Sequence, residues 1–185
     1  MQNNKLQYKF LFIISTAYLA VDMNMQGLLG LMPFLSEEFS LNSSQVGLYS
    51  TFYFFLATIV AVFSGSIVDK IGSKRGLVFG TTLVGLLMIF HTLVPSYTLI
   101  LLLALLTGLV FSILTPSLNK AVMKKVSAKN RATSMGIMQI GGGLGGFAGA
   151  TLLPFLGNKL GWRNALFISA VFALLMGLFI YLFYK

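Results

Sequence analysis

The sequence predicts an all-α membrane protein of six transmembrane helices. Three observations carry that expectation: the apolarity of the whole chain, six apolar runs of spanning length, and an internal repeat at one offset. The 185 residues are 57% hydrophobic and 9% charged, with a mean hydropathy of +0.88. So little polar surface cannot coat a water-soluble globule, which makes the lipid bilayer the first expected partner. A spanning helix needs about 20 mainly apolar residues. Runs near 10–34, 46–64, 76–94, 98–122, 133–156 and 165–184 meet that need. The chain therefore reads as a single six-helix domain, 1–185, in two units of approximately 1–94 and 95–185.

The first run follows Lys5 and Lys9 and outlasts the apolar region of a signal peptide, with no small-x-small cleavage site. It reads as a retained helix. Connections are short, and Pro33, Pro95 and Pro154 are expected near helix ends, where a missing backbone donor costs least. Six spans leave both termini on one side. Eleven of the thirteen Lys and Arg fall on that side, and only Lys159 and Arg163 on the other, where Glu37 and Glu38 also lie. Positive residues favour the cytoplasmic side of short loops, so both termini are expected in the cytoplasm of a cell (inner) membrane.

The net charge of +9 sits at the ends of apolar runs, not on a basic soluble face interleaved with aromatics, so nucleic acid is not an expected partner. Cysteine is absent and His91 is the one histidine, which leaves no thiolate nucleophile and no expected metal site. No catalytic constellation or cofactor motif is legible. A six-helix intramembrane serine protease is the remote alternative. It would need a Ser activated by a His base, and no Gly-x-Ser-Gly accompanies His91.

The repeat aligns Asp69-Lys70-Ile71-Gly72-Ser73-Lys74 with Asn158-Lys159-Leu160-Gly161-Trp162-Arg163 at an offset of 89 residues. The same offset carries the first three spans onto the last three. Three is an odd number, so the two units enter the membrane from opposite sides. That is an inverted 3+3 repeat, an arrangement recurrent among secondary transporters.

These residues resemble the N-terminal six-helix half of the major facilitator superfamily. The stretch Gly65 to Arg75, with Asp69, Lys70, Gly72, Lys74 and Arg75, is similar to the family's signature loop between helices two and three. Gly161-Trp162-Arg163 with Phe167 resembles the start of helix six, and Asn130-Arg131 fits the approach to a Gly-rich helix five. The chain departs from the family pattern in places. Ser73 stands where the family often has Arg, so Asp69 is expected to pair with Lys74 or Arg75. Ala104 stands where many proton-coupled members place an intramembrane Arg, and the Gly-Pro pair of the drug antiporters is absent.

Candidate site residues fall in three groups. Gly65, Asp69, Lys70, Gly72, Lys74 and Arg75 form a charged clasp in which Gly65 and Gly72 permit close approach and positive φ. The resemblance implies a latch that loosens during alternating access; the plain alternative is a solvated loop. The repeat copy lacks the acid, so the latch is expected on one side only. Asp22 is the one acid inside a span and shares a face with Gln26, four residues on, whereas Asn24 points elsewhere. An ionised carboxylate at mid-bilayer costs about 2.5–3.5 kcal/mol on insertion scales, so Asp22 reads as a substrate-contacting or proton-carrying residue, or else a buried structural one. Tyr53 and Tyr49 are the second-helix aromatics placed to reach a cavity. Lys120 either snorkels to the interface or attracts an anionic substrate. Gly141, Gly142, Gly145, Gly146 and Gly149 have the small-xxx-small spacing of close helix packing, and the resemblance implies that they meet a second half.

The expected function is secondary active transport of a small solute, with or without proton coupling, by one half of a major facilitator type transporter. Its second six-helix half would be a separate chain, a missing segment or a parallel homodimer partner. The alternative is a truncated or split membrane fragment that does not transport.

Overall fold

The structure, a computed structural model, describes the backbone of residues 2–184 and the side chains of residues 7–184. The described residues are helical almost throughout: α1 (Gln2–Gly30), α2 (Met32–Glu38), α3 (Ser43–Ile71), α4 (Ser73–Leu93), α5 (Tyr97–Lys125), α6 (Arg131–Leu160) and α7 (Trp162–Phe183), with a 3-10 turn at Ala128–Asn130. Five of these, α3 to α7, are long and apolar enough to cross a membrane. Long as it is, α1 is not among them. Asp22, Asn24 and Gln26 put three polar groups within five of its positions.

Helix boundaries differ from the apolar runs in two ways. Hydrogen bonding continues into the polar flanks, so α3 and α6 overrun their expected spans at both ends. The first run also breaks at Leu31, where Pro33 lies in the first turn of α2 and costs nothing because donors there have no helical acceptor. Pro154, expected at a helix end, instead lies inside α6, and Pro116 lies inside α5. Interior prolines are tolerated in membrane helices because neighbouring groups re-satisfy the freed carbonyls.

The start of α3 is fixed by a reciprocal cap. Asn42 Oδ1 accepts from the Gln45 backbone N–H and Gln45 Oε1 accepts from the Asn42 backbone N–H, both at 2.9 Å. Tyr97 at the start of α5 donates to Gln45 O at 2.8 Å and ties the two helices at that end.

Packing follows three principal pairs, α1 on α6, α3 on α5 and α4 on α7, with α4 also against α5 and α1 against α7. Fully buried Ile14, Leu28, Leu77, Met88, Leu114, Leu118, Leu153 and Leu166 fill the centre, while Phe63, Phe79, Phe90, Phe147 and Phe155 project outwards. Such an inside-out surface suits hydrocarbon rather than water. One buried polar lock joins α1 to α7: Asn24 Nδ2 donates to Ser169 O at 3.0 Å, and Ser169 Oγ donates back to Asn24 Oδ1 at 3.0 Å.

Besides Leu31 between α1 and α2, two connections consist of one glycine each. Gly72 between α3 and α4 has φ 85° and ψ 151°, and Gly161 between α6 and α7 has φ 83° and ψ 147°. This backbone region is nearly closed to residues with a Cβ. The two glycines are the pair that the 89-residue offset superposes.

Candidate functional site

The charged stretch Gly65 to Arg75 is not an open loop. Gly65 lies inside α3 with helical backbone, contrary to the expectation of positive φ there, and only Gly72 interrupts the helices. Asp69, in the last turn of α3, pairs neither with Lys74 nor with Arg75. Its partner is Lys120 on α5, whose Nζ donates to Asp69 Oδ1 at 2.6 Å and to Val68 O at 3.0 Å. The carbonyls ending a helix carry partial negative charge, so Lys120 satisfies the carboxylate and the helix end together. Lys74 instead lies over the Tyr181 ring at 5.6 Å from its centroid, and Arg75 and Lys70 are exposed. Ser73, in the position where Arg was expected, is buried with its hydroxyl 3.1 Å from Tyr184 OH. The Asp69 side chain is 75% exposed, and an ion pair so accessible to water is worth about 1 kcal/mol or less. It breaks at little cost.

A second charged junction occupies the opposite end, where the repeat had no acid of its own. Arg163 Nη1 reaches the Glu38 carboxylate at 2.6 Å, Trp162 Nε1 donates to Glu38 Oε2 at 2.6 Å, and Arg163 Nε donates to Thr92 O at 3.1 Å. The expectation of a one-sided arrangement is therefore corrected: the acid comes from α2 and not from the repeat. Burial pushes the Glu38 carboxyl up, but the hydrogen bonds from Arg163 and Trp162 outweigh it and hold the pKa below the usual carboxylate value.

Between these ends, α1 presents a partly open stripe in which Tyr18, Asp22 and Gln26 follow one another at four-residue spacing. They lie over α6. A Cβ added to Gly142 would come within 2.8 Å of both Asp22 Oδ2 and Tyr18 Cε1, and one added to Gly146 would meet Gln26 Cγ at 3.3 Å. On the adjoining strip, Gly141, Gly145 and Gly149 bring α6 against the backbone of Ser15, Leu19 and Met23. The glycine face was expected to meet a second half; its neighbour is α1 of the same chain. The exposed edge of α6 carries Gly136, Ile140, Gly143 and Phe147 instead.

Among the described residues Asp22 has no ion pair and accepts no hydrogen bond. Tyr53 on α3 is 2% exposed, has a hydroxyl without a partner, and lies in the neighbourhood of Asp22 and Tyr18. Tyr49 is likewise buried, its ring edge-on to His91 at 6.1 Å. His91 is wholly buried, with Nδ1 2.7 Å from Leu87 O and Nε2 unpartnered. No group of three metal-ligating side chains occurs among the described residues.

The Major Facilitator Superfamily model matches residues 14–185, nearly the whole chain. The chain belongs to the major facilitator superfamily. This major facilitator chain is 24% identical over 149 residues to an uncharacterised transporter of Buchnera aphidicola subsp. Acyrthosiphon pisum, covering 80% of the present chain and 36% of the other. It is 25% identical over 135 residues to the chloroplastic sodium-dependent phosphate transport protein 1 of Arabidopsis thaliana, covering 72% and 26%. The crystal structure of a bacterial homologue of the human lysosomal transporter Spinster, inward-facing and unoccupied, superposes with a TM-score of 0.76 at 19% identity, covering 97% of this chain and 43% of that one. These curated relatives are named as transporters, not as enzymes, and the chain spans about a third of their length or less. Family and apolar helices together make it a multi-pass membrane protein.

Proposed function

We propose that the chain forms one six-helix half of a secondary active transporter that moves a small solute by alternating access. The observation that carries this reading is the open α1 stripe. It holds a carboxylate within the apolar bundle, with no cation or donor from the described residues to satisfy it. Such a group faces a cavity or a partner and marks a transport pathway. Asp22, Gln26 and Tyr53 are the residues that contact substrate or carry a proton in this reading.

An inverted 3+3 repeat supports the alternating mechanism. Exchanging the first three long helices for the last three maps α1 on α6 onto α5 on α3 and leaves α4 on α7 unchanged, so the principal packing pairs survive the exchange. The matched backbones of Gly72 and Gly161 agree with it. The Asp69–Lys120 pair, with Gly65, Lys70, Gly72, Lys74 and Arg75 around it, acts as a latch at the end that holds the termini, which the charge bias puts in the cytoplasm. A second six-helix half completes the pathway, as a separate chain, a further segment or a second copy. The axis relating the two halves of such folds runs along the membrane normal, and two copies of equal orientation satisfy it.

The test is uptake by proteoliposomes holding the chain, with and without a separately supplied second half. Asp22→Asn is expected to abolish uptake, and Asp69→Asn to lower it and shift the inward–outward exchange read by paired spin labels. Unchanged uptake in both variants would refute the assignment. Absence of uptake under every pairing would favour a membrane protein that does not transport.

A further inference from the structure

The charge of the site points to its ligand. This inference rests on the transport reading above only for the location of the site. No Lys or Arg occurs within 10–69, 76–119, 132–158 or 164–184, so among the described residues none stands in the middle of a helix. Lys120, the cation expected to draw in an anion, is bound to Asp69 and the end of α3. Opposite Asp22, α6 contributes glycines, Gly142 foremost, and Gln139 one turn before it is neutral, so α6 brings no cation there. An anion placed there would meet a second negative charge without compensation. A neutral solute would leave the carboxylate charge standing in a poorly solvating wall.

The remaining groups complement a positive charge. Tyr18 stacks along the same face as Asp22 with its ring edge over Gly142, and aromatic faces attract cations. The Tyr53 hydroxyl, buried and without a partner, has free lone pairs for an N–H donor. Gln26 adds a carbonyl oxygen one turn along. We infer that this half binds a small organic cation, a protonated amine held by the Asp22 carboxylate and flanked by Tyr18 and Tyr53.

Isothermal titration of the purified chain in nanodiscs with benzylammonium, benzyl alcohol and benzoate separates the ligand classes, because the three probes share one aromatic body and differ in charge. Benzylammonium is expected to bind about tenfold or more tightly than either of the others, the difference a charge-assisted hydrogen bond makes. Asp22→Asn is expected to remove that preference. Tyr53→Phe removes only an unpartnered hydroxyl, so it should fold as the wild type does and weaken benzylammonium about threefold, which keeps the question answerable if Asp22→Asn does not fold. Tighter binding of benzoate, equal binding of all three, an unaltered preference in folded Asp22→Asn, or no binding of benzylammonium would each overturn the inference. Binding without passage of benzylammonium across proteoliposomes would remove the transport reading and leave this one intact. Uptake of an anion with no amine binding would do the reverse.

Discussion

Glu38 holds three parts of the chain with one carboxylate, receiving Trp162 and Arg163 while Arg163 also grips the end of α4. Because its pKa lies below the ordinary value in the folded state, the stability it contributes is present above the unfolded value of about 4.3 and is lost as pH falls through the folded one. The pair is over a third exposed, so screening keeps the contribution on the order of 1 kcal/mol or less. Glu38→Gln should therefore melt slightly below the wild type in detergent at pH 7, with the gap closing below about pH 4. A gap that persists in acid would mean that the carboxylate charge is not what matters. Asn24 and Ser169 represent the opposite regime, fully buried and mutually bonded. Ser169→Ala strands one acceptor on Asn24 and should cost about 1–3 kcal/mol, seen as a lowered thermal midpoint, whereas Ser36→Ala at a half-buried site should move it less. Neither partnership was legible in the sequence: their members lie 125 and 145 residues apart, and spacing rules read only neighbours on one helix.

At the scale of the helix, the glycines of α6 divide by direction. An added methyl at Gly145 would collide with the backbone of Leu19, which cannot yield, while one at Gly143 meets open space. Gly145→Ala should thus lower the monodisperse fraction and thermal stability in detergent by the equivalent of about 1–3 kcal/mol, and Gly143→Ala should leave both unchanged; equal effects would show that α6 does not seat on α1 as described. The small-xxx-small spacing was visible in the sequence, but its partner was not, because spacing states that a face is smooth and says nothing of what lies on it. Pro154 misled for a related reason. Proline leaves the carbonyl one turn back without its helical donor, and inside a membrane bundle neighbouring groups supply one, so the residue need not mark a helix end.

For the whole molecule, the apolar runs could be read directly, since burial in lipid demands long apolar helices whatever their tertiary partners. The two glycine connections were equally legible, because a positive-φ joint needs glycine and Gly72 and Gly161 stand in similar sequence surroundings. The charges were not: Asp69 pairs with Lys120 and Glu38 with Arg163, partners far apart in sequence that no spacing rule brings together. Replacing Gly72 and Gly161 by Ala, singly and together, tests the equivalence of the two connections. Each should destabilise by about 1–3 kcal/mol through backbone strain alone, since neither site is crowded, and the thermal shifts should be similar in size and additive across the distance. A tolerated Gly161→Ala beside a damaging Gly72→Ala would break the equivalence.

A one-residue connection leaves no slack. A residue inserted between Ile71 and Ser73 that joined either helix would advance α4 by about 100° of rotation and 1.5 Å of rise, turning Gly76, Gly80 and Met88 out of the interior and Phe79 into it. These two joints act as gear teeth, fixing the rotational phase of α4 against α3 and of α7 against α6, and length at Gly72 and Gly161 is the dimension of this chain least free to vary.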